Sequence, residues 1–218
     1  MEDSYALLQV DSAYRPDQWA SDIESGWDFF KENISTRILN TTIYTEKSSN
    51  SLGPSGFFPP RLLTKSEQSV AMRHILAIKA TARSNIPCII LEDDALIGDQ
   101  ALFHELIHYL RDEYKNRVFF DLTDNYIPLN VNHHKKLSTG NLHFCIMPIA
   151  ITRTLMAYAI SPEIARALLE SLSCYSLPID MQLQVSLSRL LLPGMSLINS
   201  PFIHGSKNNA ITSSVLQH

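Results

Sequence analysis

The stretch that most constrains the fold is CIILEDDALI, at residues 88–97. Its first four residues are apolar, and their number and β-branched content predict a strand that is buried on both faces. Three consecutive acids follow, Glu92, Asp93 and Asp94, and adjacent anions could not be buried there without partners. These acids are therefore expected where the strand emerges from the sheet.

The position of the three acids allows two interpretations. In open parallel α/β sheets, ligands bind beyond the carboxyl ends of the strands, so the acids could hold a divalent cation and, through it, a phosphate. Acidic turns are also common at strand ends, so the same residues could form a solvated turn. The stretch alone does not decide between these two interpretations.

Strands and helices alternate through the first 122 residues, which predicts an α/β fold with a mostly parallel, helix-covered sheet. The clearest helix runs from about Lys65 to Arg83, because Thr64 and Glu67 form a capping box before an apolar stripe. Asp99 is expected to cap the next helix. Less regular signals predict a strand at 5–10, a helix at 23–30, a strand at 37–44 and a Ser-, Gly- and Pro-rich connection at 46–60.

The regular alternation of strands and helices ends after residue 122. Residues 124–141 are polar and are expected to be irregular, and β-like runs follow at 144–151 and 156–160. Ser161 and Pro162 predict the start of a helix, a second helix is expected from Pro178, and a last strand is expected near 195–205. We predict a single domain over residues 1–218, whose later part is smaller and mixed.

Composition excludes several classes of protein. The 218 residues carry a formal net charge of -4, so the chain has no excess of Lys and Arg with which to neutralise nucleic-acid phosphates. Three widely spaced cysteines do not suggest a disulfide framework or a zinc knuckle. The sequence shows neither a signal-peptide pattern nor a long apolar span, so we expect a cytoplasmic protein, for which peripheral contact with the inner membrane stays open.

A second motif offers a competing function. Residues 104–108 read HELIH, and His104 and His108 would share one helical face suited to Zn²⁺, with Glu105 as the general base of a metallopeptidase. The extended form of this motif is absent, since Arg111 and Tyr114 stand where it has Gly and a third His. The alternative interpretation is that both histidines lie on the polar flank of an amphipathic helix.

An ordered set of motifs begins with Glu67 and His74 on the helix before the acidic strand end. The blocks RTLMAYAISPEIARALL, at 153–169, and LPID, at 177–180, follow, and the tail carries Pro201, His204 and the paired serines 213 and 214. This set resembles glycosyltransferase family 25, the lipooligosaccharide and collagen galactosyltransferase family. Where that family has an Arg-rich loop after its first strand, this chain keeps only Arg15, so a catalytically inactive relative that binds a sugar nucleotide or a partner is a third alternative.

The resemblance implies a GT-A-like fold, with a nucleotide-sugar-binding half at 1–122 and an acceptor and catalytic half at 123–218. It implies inverting transfer of a hexose, with galactose as the first candidate, from a UDP-sugar to a glycan hydroxyl, as in lipopolysaccharide or lipooligosaccharide synthesis. That chemistry uses Mn²⁺ or Mg²⁺ to offset the charge on the leaving diphosphate and a base to take the acceptor proton.

The predicted site residues fall into four groups. The metal ligands are Glu92, Asp94 and His204, and alternation along a strand sends the two acids to one face. The nucleotide-sugar contacts are Asp93, Arg15, Lys207, Glu67 and His74. Tyr158 and Ser161 are expected to line the acceptor site. Asp180 is the predicted base, and a place at the N-cap of its helix is expected to lower its pKa.

Overall fold

The structure is a computed structural model that describes residues 6–10, 63, 65–84, 86–92, 95–113, 117–123, 135–152, 154–172 and 177–205. Its helices are α1 Lys65–Arg83, α2 Gln100–Glu113, α3 Pro162–Ser171 and α4 Ile179–Arg189. Its strands are β1 Ala6–Val10, β2 Cys88–Glu92, β3 Ala95–Ile97, β4 Phe119–Asp121, β5 Lys135–Thr139, β6 Leu142–Met147, β7 Ala157–Ile160, β8 Gly194–Leu197 and β9 Phe202–His204. The helix predicted at 23–30, the strand predicted at 37–44 and the connection at 46–60 lie outside the described residues.

The predicted starts of α1, α2 and α3 are confirmed. Helix α1 has the bounds expected from its sequence, although Thr64 of the capping box lies outside the described residues. Asp99 caps α2, since its Oδ1 accepts a hydrogen bond from Leu102 N at 2.9 Å. Helix α3 begins with a proline that follows the N-cap Ser161, whose hydroxyl accepts from Ile164 N at 3.3 Å.

Seven of the described strands form one sheet in the order β1-β2-β7-β4-β8-β6-β5. In this sheet β1–β2 and β4–β8 pair in parallel, whereas β2–β7, β4–β7, β6–β8 and β5–β6 pair antiparallel. The predicted α/β class is confirmed, but the prediction of a mostly parallel sheet is wrong. The reason is that β7 lies between β2 and β4 and runs against both.

One direction still dominates the sheet. Because β7 is antiparallel to each of its neighbours, β2 and β4 run the same way, and β1 and β8 share that direction through their parallel pairings. The carboxyl ends of these four strands therefore meet at one edge, which we call the carboxyl edge. The chain enters β7 at the same edge, where Glu92 N donates to Met156 O at 2.8 Å.

Helices cover both faces of the sheet, as predicted. Side chains alternate along the strands, so Ile90 and Phe119 pack with α1, α3 and α4 in one buried cluster. Ile89 and Phe120 point the other way and pack with α2 in a second cluster. No helix in the described ranges has the length and apolar character that crossing a membrane requires.

Three of the described strands, β3, β5 and β9, were not expected from the sequence. The predicted last strand is in fact two, β8 in the main sheet and β9 in a separate ribbon with β3. In this ribbon Ala95, which follows Asp94 in sequence, pairs antiparallel with His204. Strand β5 forms a hairpin with β6 inside the stretch predicted to be irregular, so that prediction is wrong for residues 135–139.

Candidate active site

Distant parts of the chain meet at the carboxyl edge around one pocket of about 270 Å³, which we call the acidic pocket. It is lined by Glu67, Val70, Glu92, Thr154, Leu155, Pro178, Ile179, Asp180 and His204. These residues come from α1, the end of β2, the segment before β7, the start of α4 and the end of β9. Three carboxylates and one imidazole therefore border the same small space.

Four of the predicted site residues line this pocket, namely Glu67, Glu92, Asp180 and His204. The fold thus brings together acids from α1, β2 and α4 with a histidine from the ribbon. Three other predicted residues, His74, Tyr158 and Ser161, are buried and are not among its lining residues. The remaining four, Arg15, Asp93, Asp94 and Lys207, lie outside the described residues.

His74 lies behind the pocket and touches its wall through Glu92. Its Nε2 is 3.2 Å from Glu92 Oε1, and its Nδ1 is 3.2 Å from the Tyr158 hydroxyl. The His74 side chain is fully buried, whereas that of Glu92 is 18% exposed. His74 therefore meets the pocket through the carboxylate that it contacts, rather than by lining the pocket itself.

Tyr158 and Ser161 are also structural neighbours of the pocket rather than parts of its lining. The Tyr158 ring stacks on Phe119, with centroids 5.6 Å apart and an interplanar angle of 17°. Burial, and secondarily the charge of Glu92, raises the pKa of Tyr158, so the phenol stays protonated. Ser161 holds the start of α3 through its hydrogen bond to Ile164 N.

Asp180 differs from its prediction in two respects. It lies in the first turn of α4, while the N-cap residue is Pro178, which makes no side-chain capping bond. The pKa of Asp180 is raised, not lowered, because desolvation by burial outweighs the hydrogen bonds from the Met181 and Asp180 backbone N–H groups. The charge of Glu92 raises this pKa further, and His74 opposes it. A raised pKa makes this carboxylate a stronger base.

The sequence did not point to Thr154 and Leu155 as pocket residues. The Thr154 Oγ1 atom is buried and has no hydrogen-bond partner among the described residues. A buried hydroxyl without a partner has an unfavourable free energy that a ligand hydroxyl could relieve. The sequence does show that Thr154 comes just before the strand β7. That position lies at the pocket because β7 lies between β2 and β4, which the sequence does not show.

The donor atoms at the pocket fit a hard divalent cation, as judged by their chemistry. Glu92 and His204 line the same pocket, and carboxylate oxygens with an imidazole nitrogen suit Mn²⁺. Within the described ranges, no cluster of three or more His, Cys, Asp or Glu side chains is placed to hold a metal ion. The third predicted ligand, Asp94, falls outside those ranges.

The HELIH segment lies on α2, and Glu105 has a structural contact there. Its Oε1 accepts from Asn141 N at 2.8 Å and its Oε2 accepts from Asn141 Nδ2 at 3.1 Å, so this carboxylate holds the β5–β6 turn. His104 and His108 are exposed. No metal-binding cluster includes them among the described side chains. The contacts therefore favour the interpretation of a polar helix flank over that of a zinc site.

The fold and the pocket define a class, an α/β protein with an acidic pocket at the carboxyl edge of its sheet. The family model of glycosyltransferase family 25 (LPS biosynthesis protein) matches residues 29–183, more than half of the chain. The chain therefore belongs to glycosyltransferase family 25. No curated protein matches it.

The matched range includes Glu67, Glu92 and Asp180, and with them much of the acidic pocket. It begins further toward the N-terminus than the motif set, whose first residue is Glu67. It ends before β8 and β9, so His204 and the tail motifs lie outside the match. Family membership assigns glycosyltransferase activity in lipopolysaccharide biosynthesis, with a sugar donor and a glycan acceptor in general.

Proposed function

We propose that this protein is an inverting, metal-dependent glycosyltransferase with a GT-A-like arrangement that moves a hexose from a UDP-sugar to a glycan hydroxyl. Galactose is the first donor sugar to test, and a lipopolysaccharide or lipooligosaccharide glycan is the proposed acceptor. The observation that carries the proposal is the acidic pocket, in which Asp180, with a raised pKa, shares one space with Glu92.

Asp180 is the proposed general base. The acceptor hydroxyl oxygen would form a bond to the anomeric carbon of the donor as the bond from that carbon to the diphosphate breaks. The hydroxyl proton would pass to the Asp180 carboxylate, and attack opposite the leaving group would invert the configuration. A base works best when its pKa lies near the working pH, and burial moves the pKa of Asp180 in that direction.

Glu92 and His204 are the proposed metal-side residues of the pocket, together with Asp94. Bound Mn²⁺ or Mg²⁺ would supply compensation for the charge that develops on the leaving diphosphate. Arg15, Asp93 and Lys207 are the further proposed contacts to the sugar nucleotide. Glu67, from α1, lines the same pocket and is a further proposed contact, to hydroxyl groups of the donor.

The proposal also assigns a different role to each half of the chain. Residues 1–122 supply Glu67 and Glu92 to the pocket, and residues 123–218 supply Asp180 and His204. Binding of the nucleotide sugar by the first half and acceptor activation by the second would place the two substrates against each other at the carboxyl edge. Peripheral contact with the inner membrane would bring a lipid-linked acceptor to that edge.

The test is to incubate the protein with Mn²⁺ and a panel of sugar nucleotides, and to record donor hydrolysis and thermal shift. We expect UDP-hexoses to raise the melting temperature and to be hydrolysed slowly. Asp180→Asn is expected to lower turnover by about 10²- to 10⁴-fold, as loss of a general base does, with little change in thermal shift. Asp99→Asn makes the same chemical change at an exposed cap of α2 and is the matched control.

Three outcomes would contradict the proposal. If no UDP-sugar shifts the melting temperature and purified protein contains zinc, the metallopeptidase interpretation gains support, and Glu105→Gln should then abolish peptide hydrolysis. If UDP-sugars bind without hydrolysis or transfer at any metal concentration, the protein is a sugar-nucleotide-binding relative without catalytic activity. If Asp180→Asn turns over donor as fast as Asp99→Asn does, Asp180 is not the base.

A further inference from the structure

We infer that His74 is a positioning residue that is held by Tyr158 and fixes the orientation of the Glu92 carboxylate at the acidic pocket. The network of hydrogen bonds that joins Tyr158, His74 and Glu92, which we call the His74 network, rests on contacts between these three side chains. Only the effect of this network on ligand binding rests on the proposed function. Neither His74 nor Tyr158 is among the residues that line the pocket, so each would act through Glu92.

The His74 network lies in the core between α1 and the sheet. His74 and Tyr158 are both fully buried, and each ring nitrogen of His74 lies 3.2 Å from an oxygen, Glu92 Oε1 on one side and the Tyr158 hydroxyl on the other. The His74 and Tyr158 rings lie with centroids 5.8 Å apart at 28°, and Tyr158 is itself stacked on Phe119. Close packing on every side leaves His74 little freedom to change its rotamer.

With a neutral His74 ring and an ionised Glu92 carboxylate, the chemistry of the three groups sets the direction of the hydrogen bonds. An ionised carboxylate only accepts, so Nε2 of His74 must carry the proton that is donated to Glu92 Oε1. In the neutral ring Nδ1 is then an acceptor, and the Tyr158 hydroxyl donates to it. This order leaves no buried polar atom of His74 without a partner, which is the condition for a buried imidazole to be stable.

The consequence for the pocket lies in the second oxygen of Glu92. Oε1 is engaged from behind by His74, and the carboxylate lines the pocket, so Oε2 is the oxygen available to a ligand. A carboxylate whose orientation is already fixed loses less conformational entropy when it binds. Buried partners of this kind commonly change the affinity of a metal-binding group by about 10- to 100-fold when they are removed.

Two substitutions of His74 separate the two hydrogen bonds. His74→Gln keeps an amide N–H at a reach similar to that of Nε2, so it can still donate to Glu92. His74→Asn keeps a carbonyl oxygen at a reach similar to that of Nδ1, so it can still accept from Tyr158 but leaves Glu92 without its donor. Tyr158→Phe keeps the ring stacked on Phe119 and removes the hydroxyl alone.

The probes are Mn²⁺ and UDP, and binding of UDP in the presence of Mn²⁺ is measured by titration calorimetry. We expect His74→Asn to weaken binding by about 10- to 100-fold and His74→Gln to retain affinity within about threefold. Tyr158→Phe is expected to fall between the two. Ile75→Val, a fully buried neighbour on α1, is the control that lowers the melting temperature without altering binding. Equal affinities for His74→Asn and Ile75→Val would overturn the positioning role.

A spectroscopic readout tests the His74 network independently of any ligand. With ¹⁵N-labelled histidine, the two ring nitrogens of His74 are expected to show the Nε2–H tautomer in the unchanged protein, and the His74→Asn spectrum assigns the signal. An Nδ1–H tautomer or an imidazolium signal would refute the inferred arrangement of hydrogen bonds in the His74 network. If the expected tautomer is seen but the unchanged protein does not bind UDP with Mn²⁺, the proposed function is refuted while the His74 network is supported.

Discussion

Asp121 predicts a pH dependence of stability that can be worked out from its surroundings. It ends β4 and is 1% exposed, and its Oδ1 accepts from Thr123 N at 3.0 Å and from Thr123 Oγ1 at 2.6 Å. Its Oδ2 accepts no hydrogen bond from the described residues. Desolvation by burial raises the pKa of Asp121 from 3.8 to about 6, against the opposing effect of the hydrogen bonds from Thr123 and, to a smaller extent, from the Thr152 side chain.

The sign of the effect follows from which state holds the proton more tightly. The folded state keeps the Asp121 proton up to about pH 6, whereas the unfolded chain releases it near its ordinary pKa of 3.8. The free energy of unfolding therefore falls as pH rises through this window, by about 3 kcal/mol in all for a pKa that is 3.8 in the unfolded chain and about 6 in the folded state. Between pH 5 and pH 8, where measurement is easier, the expected fall is about 1 kcal/mol.

The measurement is urea unfolding of the unchanged protein and of Asp121→Asn at pH 5, 6, 7 and 8. The amide cannot ionise, so the variant should gain about 1 kcal/mol relative to the unchanged protein between pH 5 and pH 8. The slope of this difference is the test, because any loss of packing or hydrogen bonding adds an offset that does not depend on pH. Asp99→Asn measures what the loss of an exposed carboxylate does. A difference between Asp121→Asn and the unchanged protein that is constant with pH would refute the reasoning.

Two further substitutions test local structure. Gly140→Ala should lower stability by about 1–2 kcal/mol, since Gly140 has φ +55° and a Cβ there would overlap the Glu105 carboxylate; an unchanged melting temperature would show that the β5–β6 turn adapts freely. Ser161→Ala should cost about 1 kcal/mol in thermal unfolding through loss of the α3 cap, with donor affinity retained. A selective rise in the KM for the acceptor in that variant, with donor affinity unchanged, would instead support the predicted place of Ser161 in the acceptor site.

The elements that the sequence predicts well are those whose ends are set by neighbouring residues. Helix α1 has its expected bounds because a regular apolar stripe specifies its length. Asp99 and Ser161 begin α2 and α3 through bonds to N–H groups three residues later. Strand β2 follows from a short apolar run after a proline. Each of these signals lies within the element that it specifies or directly before it.

Sheet order could not be obtained in the same way, because pairing partners are far apart in sequence. Nothing in the run at 157–160 states that it lies between β2 and β4 or that it runs against them. Among the described strands, the short strand β3 pairs with β9 alone, and β9 follows more than 100 residues later. Lys135 and Lys136 are exposed at the start of an edge strand, so their polarity suggested a loop.

The site shows a similar division between local and non-local information. The family motifs brought Glu67, Glu92, Asp180 and His204 into one hypothesis, and the fold gathers them around one pocket. The expected fall in the pKa of Asp180 considered only the start of its helix. Burial depends on what packs around that start, and it reverses the direction of the shift. Local rules of helix ends therefore cannot set the pKa of a group that the rest of the fold desolvates.

The antiparallel strand β7 explains how a mixed sheet can have a pocket where a parallel sheet would have one. Because β7 separates β2 from β4 without reversing either, the carboxyl ends of both still point to one edge. The segment entering β7 then adds Thr154 to that edge, and the strand itself carries Tyr158, opposite Ile90, into the core. Glu92 follows Ile90 by two residues and so shares its face, which is the face that α1 covers with His74. The departure from a parallel sheet therefore brings together the groups that border the acidic pocket and those that support it.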